Sequence, residues 1–280
     1  MKNRKTEYPR SNTPGFVPLE RALSKLGLAS RTEARRWICA GRVSVDGNTV
    51  TDPGHEVVPE RARIEIDGGE AQSAARIYVA LHKPRGVVTT RSDPEGRPTV
   101  YQFLSDVRAT VMPIGRLDLA STGLLLFSND SRFSSWLTDP ASAVSRVYLV
   151  TVRGELDDAT AARLTAGLEI DGEALSAKSI TVRKRSKRET HLVVELVEGR
   201  NREIRRLLAA VGHEVSRLRR VSIGGIELGE LAPGCWREIS KEELARAFPG
   251  APTRTDSVSS PDRRPVRRAS PSPRADPKKR

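Results

Sequence analysis

Pro113-Ile-Gly-Arg-Leu-Asp118-Leu-Ala-Ser-Thr-Gly123-Leu-Leu-Leu-Phe127 sets one carboxylate beside an arginine just ahead of an unbroken apolar run. Leu124 to Phe127, bounded by Gly123 and the polar Ser128-Asn129-Asp130, has the length and flanks of a short strand buried in a core. The preceding loop is therefore held at the edge of a rigid element, where working side chains are often carried. Asp118 is the candidate catalytic group on this reading. An aspartate in such a place also serves as an ordinary turn cap, and composition alone does not separate the two roles.

Outward from that strand, Tyr78 to Leu81, Val147 to Val152, Ser179 to Arg183 and His191 to Val197 read as further strands. Helical spacing is found near Asp157 to Ala166 and Arg202 to Val211. Helices and strands do not alternate in a βαβ rhythm, so the expected class is α+β with a mainly antiparallel sheet. Toward the N-terminus, Leu19 to Leu26 has helical spacing and Gly27 stops it. Ser30 with Glu33 forms a capping-box pattern at the head of a second helix that runs through Trp37 and Ile38 to a stop at Gly41. Arg42 to Val50 alternates around a turn as a hairpin, and Ile64-Glu-Ile66 gives another strand. The expected organisation is a basic disordered arm over 1–17, a small αα-β module over 18–68, a linker over 69–76, a larger domain over 77–248 and a disordered basic tail over 249–280.

The net charge of +13 and a pI near 10.3 imply an anionic partner. Nucleic acid fits best, because no membrane-binding segment accompanies the charge. From residue 251 onward nine Arg and Lys stand against three Asp, so that tail supplies +6, and its six prolines and lack of aromatic residues leave it unable to build a core. No apolar stretch approaches the roughly 20 residues that cross a bilayer, and the basic start lacks the apolar core of a signal peptide. A cytoplasmic protein is expected. Cys39 and Cys235 are far apart and have no metal-ligand spacing, which fits reduced, buried thiols. Scattered histidines, no phosphate-binding Gly-rich loop and no dinucleotide fingerprint leave no metal and no cofactor expected.

A second concentration of signal is Glu195-Leu-Val-Glu198-Gly-Arg200-Asn-Arg202-Glu-Ile-Arg205-Arg206-Leu-Leu208, followed by Arg217-Leu-Arg219-Arg220. Asn201 can cap the helix. Ile204, Leu207, Leu208 and Val211 would face the core and leave Arg202 and Arg206 exposed. Arg205 lies beside the apolar stripe, and a partly buried guanidinium needs an anion. Glu195 or Glu203 would make it a structural pair; Asp118 would make it part of a site. In the N-terminal module, Arg31, Arg35 and Arg36 crowd one helix and Arg42 follows it, an arrangement able to grip successive phosphates.

The small module, with Leu-x-x-x-Gly-x-x-Ser-Arg-x-x-Ala and a later Gly-x-Val-x-Val-x-Gly, resembles the S-four-type RNA-binding module first known from a small-subunit ribosomal protein. Further on, four patterns occur in order: His82-Lys83-Pro84-Arg85-Gly86, Gly115 to Asp118 with Ser121 to Leu125, Arg146-Val-Tyr148-Leu-Val150, and Glu198 to Arg206. Together they resemble the bacterial pseudouridine synthases that modify ribosomal RNA at single sites, the large-subunit branch most of all. Arg146 stands where many members have lysine, and Glu203 where many have glutamine.

The resemblance implies a cofactor-free isomerisation of uridine to its C-glycoside. Asp118 would act at the sugar, either as nucleophile, as charge stabiliser or in removing the 2′ proton. Arg205 would keep Asp118 ionised and oriented, and Tyr148 would pack on the flipped base. Arg116 would fill the space that base vacates. Lys83, Arg200 and Arg202, with the module's Arg31, Arg35, Arg36 and Arg42, would contact RNA. The implied partner is ribosomal RNA or a subunit assembly intermediate, met by a monomer. The alternatives are the same reaction on small-subunit ribosomal RNA and a noncatalytic RNA-binding assembly factor.

Overall fold

The computed structural model describes residues 15–59, 61–71, 75–107 and 109–252. The tail from residue 253 on, and the arm ahead of residue 15, lie outside the described residues. The fold has the expected α+β class, and it divides into two compact units. One takes in the described residues up to Ile77 together with 109–112 and Ser128–Ser134; the other takes in Tyr78–Val107, Pro113–Phe127 and the described residues from Ser135 on.

In the first unit, β1 (Val17–Pro18) leads into α1 (Leu19–Lys25), and Ser30 caps α2 (Arg31–Cys39). The Ser30 hydroxyl accepts from the Glu33 amide at 3.3 Å and the Glu33 carboxylate accepts from the Ser30 amide at 3.4 Å, the reciprocal box read from sequence. Leu19, Ala22 and Leu23 of α1 and Ala34 and Ile38 of α2 meet in the core. Cys39 is exposed, against the expectation of a buried thiol, whereas Cys235 is buried. One residue beyond Ile38 rotates a side chain about 100° around the helix, off the buried face.

The hairpin of β2 (Val43–Val45) and β3 (Asn48–Val50) is joined on its other side by β5 (Ile64–Ile66) after the short β4 (Glu56–Val57). Two boundaries move. Val17 is buried and pairs with Val57 of β4, so the module begins inside the stretch read as an arm. Gly69–Glu70 forms β6 and adds to the edge of β5, so the stretch read as a linker opens as a strand. The cause is the Asp67-Gly68 pair, both at positive φ (53° and 78°), the conformation that folds a chain back on itself in a two-residue hairpin. At the other end of that stretch, the Asn129 side chain donates to the Ala75 carbonyl and accepts from the Ile77 amide, so this backbone is tied down as well.

The second unit is built on a nine-stranded sheet. Its strands are β7 (Tyr78–Lys83), β8 (Met112–Ile114), β9 (Thr122–Ser128), β10 (Arg146–Arg153), β13 (Ser179–Arg185), β14 (Glu189–Leu196), β15 (Val215–Ile223), β16 (Ile226–Glu227) and β17 (Trp236–Glu238). The central order is β13-β14-β10-β15-β9-β7-β17, with β16 on β15 and β8 on β9. A small hairpin of β11 (Leu168–Ile170) and β12 (Glu173–Leu175) stands apart from it. The helices of this unit are α4 (Asp158–Ala166), α5 (Glu203–Ala210) and α6 (Lys241–Ala247), while α3 (Ser131–Thr138) begins in the residues of the first unit and ends in those of the second. All six residues of β7 and all of β9 after Thr122 are buried, the mark of strands covered on both faces. In β14 alternate residues are buried, so that strand has one wet face.

β9 joins β15 in parallel, with Thr122 opposite Arg219 and Gly123 opposite Arg220. Gly123 sits at φ +105°, and a Cβ there would lie 2.1 Å from the Arg220 carbonyl oxygen and 2.7 Å from its amide nitrogen. Only glycine lets the two backbones meet at this point. Gly123→Ala is expected to lower unfolding stability by roughly 3 kcal/mol or more, from forbidden backbone contact plus a strained φ. Urea titration of the variant checks this; a midpoint equal to that of the wild type would mean that the strand pair relaxes freely.

Candidate active site

Asp118 sits on the loop between β8 and β9, and the stretch His82 to Thr89 braces that loop from one side. The Gly86 amide donates to the Leu119 carbonyl at 2.8 Å, and the Thr89 hydroxyl donates to the Leu117 carbonyl at 2.8 Å while accepting from its amide. Lys83 Nζ donates to the carbonyls of Ser121, at 2.9 Å, and of its neighbour Pro84. The Ser121 amide closes a turn onto the Asp118 carbonyl at 3.0 Å. Four of the five loop positions from Leu117 through Ser121, all but Ala120, are thus held by hydrogen bonds to their backbone, and the Asp118 carboxylate on this loop is half-exposed.

Lys83 was expected to contact RNA, but it is fully buried. It is the last residue of a strand covered on both faces, and its ammonium is spent on backbone carbonyls. Burial lowers its pKa to about 8, and the Asp118 charge acts in the opposite direction.

The carboxylate faces the start of α5. Arg202 Nη1 lies 3.4 Å from Asp118 Oδ2, and Arg205 Nε lies 4.0 Å from the same oxygen. Arg205 also donates to the Val215 carbonyl at 3.1 Å, while its buried Nε has no hydrogen-bond partner. Burial and the neighbouring Arg202 pull the Arg205 pKa below the usual guanidinium range, with Asp118 opposing, though an arginine remains charged throughout. Of the acids weighed for Arg205, then, Asp118 is the one it faces. Arg202 is exposed as expected, and it also faces Asp118. It replaces Asn201 as the N-cap and adopts a left-handed conformation (φ 51°, ψ 29°) that costs a non-glycine residue of order 1 kcal/mol.

Tyr148 lies on β10 opposite Arg220 of β15 and is buried. The Arg220 guanidinium stands 6.0 Å from the ring centroid, its Nε donates to the Leu124 carbonyl at 2.7 Å, and its buried Nη2 is unpartnered. Arg146, two residues before Tyr148, is buried and donates to the carbonyls of Leu137, Val144 and Val197 at 2.7, 2.8 and 3.1 Å. Its neighbour Glu203 is also buried, and burial raises its carboxyl pKa; the Arg200 amide donates to it at 3.2 Å. Asp118, Tyr148, Arg205, Arg202, Arg146 and Arg220 line one cavity of about 150 Å³, so residues some hundred positions apart in sequence converge.

The remaining expected RNA contacts are distributed differently. Arg116 is exposed at the cavity's edge, and Arg31 and Arg36 are exposed on α2. Arg35 is bonded to Glu20, Arg42 makes a two-pronged pair with Asp67, and Arg200 is bonded to Glu198 at 2.5 Å. Arg206, expected to be exposed, is half-buried against the β11–β12 hairpin through Glu173, at 2.5 Å, and the Ile170 carbonyl. Sequence reasoning gave no role to Arg220 or Ser121. Arg220 carried a signal in the alternation of β15, which puts it on the same inward side as Leu218.

Residues 77–210 match the family model described as RNA pseudouridylate synthase, and residues 17–61 match the S4 domain. A ribosomal large subunit pseudouridine synthase B of Escherichia coli O157:H7 is 40% identical over 228 residues, which cover 79% of each chain. Its namesake from Bacillus subtilis (strain 168) is 33% identical over 81% of this chain and 94% of its own. An uncharacterized RNA pseudouridine synthase of Aquifex aeolicus (strain VF5) is 36% identical over 83% of this chain and 94% of its own. Among solved structures, one described as a pseudouridylate synthase aligns with a TM-score of 0.58 at 26% identity, over 82% of this chain and 99% of that one.

The buried Lys83 makes a pH signature. Its pKa falls from 10.5 to about 8 on folding, so between those values the unfolded chain holds more protons and stability rises with pH. Between pH 7 and pH 10 the wild type should gain about 2.5 kcal/mol on Lys83→Met. Parallel urea titrations of the two proteins across that range measure the gain, and parallel curves would place the lysine in contact with solvent.

Proposed function

Because this chain belongs to the RNA pseudouridylate synthase family, we propose that it isomerises a specific uridine of large-subunit ribosomal RNA, with Asp118 as the catalytic residue. The observation that carries this reading is the Asp118 carboxylate on a braced loop, at the mouth of a cavity that also holds Tyr148, Arg205 and Arg220. The choice of large-subunit RNA leans on the two relatives whose names specify it.

The reaction breaks the bond from N1 to C1′, turns the base, joins C5 to C1′, and moves one proton from C5 to N1. Atoms and oxidation level balance, and no energy source is consumed. The target base leaves its stack at a cost of roughly a few kcal/mol and enters the cavity. There Asp118 attacks C1′, steadies positive charge on the sugar, or takes the 2′ proton. Arg205 and Arg202 orient the carboxylate. Tyr148, held from behind by Arg220, packs on the base and is within the same cavity as the C5 proton that must depart. Arg116, exposed beside Asp118, fills the gap left in the RNA, and the exposed Arg31 and Arg36 of the N-terminal module hold phosphates. No helix among the described residues is long and apolar enough to cross a membrane. We assign the protein to the cytoplasm as a monomer acting on ribosomal RNA or an assembling subunit.

The test is incubation of wild type and Asp118→Asn with transcripts of large- and small-subunit ribosomal RNA, followed by carbodiimide treatment and primer extension. A stop on the large-subunit RNA made only by the wild type is expected, with the variant slower by roughly a thousandfold or more. A stop on the small-subunit RNA instead would reassign the substrate. Failure on both RNAs and on immature subunits, with RNA binding intact, would leave a noncatalytic assembly factor. In the same assay Arg205→Met should slow turnover about 10- to 100-fold with little change in KM, because it acts through the orientation of Asp118.

A further inference from the structure

Several cations assigned to RNA from sequence have partners within the protein: Lys83 on carbonyls, and Arg35, Arg42, Arg200 and Arg202 on carboxylates. Surface pairs of this kind are weak and can exchange for a phosphate. Among the described residues, the densest group of cations without such partners lies elsewhere, in Arg183, Lys184, Lys187 and Arg188 at the tip joining β13 to β14. Arg183, Lys184, Lys187 and Arg188 are all exposed, and among the described residues none has a carboxylate at ion-pair distance.

The tip is built to hold these charges in place. A bulge between Val182 and Lys184 inserts Arg183 as an extra residue opposite β14, which breaks the strand's alternation and brings Arg183 and Lys184 out together. The Ser186 amide donates to the Glu189 carbonyl at 2.9 Å and the Ser186 hydroxyl accepts from the Glu189 amide, a tight turn with Lys187 and Arg188 at its apex. The Gly154 amide donates to the Arg188 carbonyl at 2.9 Å, and Arg185, the fifth cation, is pinned at 2.5 Å to Asp158 at the head of α4. The nearby acids Glu155, Asp157 and Asp158 act on Arg185, and Glu189 is bonded to His191.

The position is informative as well. Arg153, opposite Glu189 at the base of the tip, is on the same strand as Tyr148. Five steps along the strand separate them, about 17 Å at some 3.3 Å each. We propose that the β13–β14 tip is a second RNA-contact site, which grips backbone phosphates of the substrate in a segment flanking the target uridine. This rests on the reading of the chain as an enzyme of ribosomal RNA. A row of cations on an edge strand also deters strand-to-strand aggregation, and that role alone would leave RNA binding untouched.

The experiment compares wild type with the fourfold variant R183Q/K184Q/K187Q/R188Q. Filter retention of radiolabelled large-subunit ribosomal RNA transcript is measured over a salt series, and pseudouridine formation over a range of RNA concentrations. The variant should lower the slope of log Kd against log salt by about 2 to 3 and raise KM about tenfold or more, with kcat within about twofold. The charge-retaining R183K/R188K should match the wild type. Should the fourfold variant fold poorly by thermal melting, R183Q/R188Q and K184Q/K187Q are each expected to give about half the change in slope. An unchanged slope and KM in folded variants overturns the proposal, and lower solubility alongside would assign the charges to edge protection. If the wild type forms no pseudouridine but the slope still falls, the proposed reaction fails while the RNA contact stands.

Discussion

The contact of Gly123 with the backbone of Arg220 is the constraint on which the site depends. It is where β9 and β15 run side by side, and it joins the half of the sheet that carries the Asp118 loop to the half that carries Tyr148 and Arg220. Interatomic room at that point is so small that a single methyl group would overlap a carbonyl oxygen. The buried glycine thus sets how closely the strand that follows the Asp118 loop approaches the strand that pairs with Tyr148. The long buried strands around it supply the apolar area that holds the pair closed.

Around this seam the buried cations serve a common purpose. Lys83, Arg146 and Arg220 each take main-chain carbonyls as partners, and these carbonyls belong to the segments that frame the cavity: Ser121 in the Asp118 loop, Val197 before α5, and Leu124 in β9. A buried charge without such bonds would be strongly destabilising; with them it ties irregular backbone in place. The cavity is consequently walled by positive charge, with Asp118 and Glu203 as its acids. Such a wall suits an RNA substrate, whose phosphates accompany any base that enters. It also explains why three neighbouring arginines at Arg202, Arg205 and Arg206 differ in kind: two turn to Asp118 and the third props the β11–β12 hairpin.

Local patterns were legible wherever a short-range rule governs them. The Ser30–Glu33 capping box, the hairpin around Asp46-Gly47, the apolar run of β9 and the class of the fold all follow from spacing and residue type. What failed were statements about where a polar side chain ends up. Lys83 was taken, from the resemblance, as a cation that reaches RNA, yet its strand is covered on both faces and the side chain is buried. Cys39 was placed inside although one step of helical rotation carries it out. The supposed linker hid a strand of two residues, too short for a periodic signal, whose formation required only an Asp-Gly turn and an open edge on β5.

By itself the sequence determined part of the element list, from which β15, the strand that carries Arg220, was missing. It also determined the order of the motifs and the chemical types available: one carboxylate on a loop, a tyrosine in a strand, arginines at the head of a helix. These depend on interactions among residues a few positions apart, which sequence records directly. Only the tertiary structure decided that Asp118 meets Arg202 and Arg205, that Arg220 backs Tyr148, and which cations are free for a phosphate. Those outcomes depend on strand order, on the parallel register at Gly123 and on competition among acids for each arginine. All three are settled by contacts between residues up to a hundred positions apart, which no local pattern encodes.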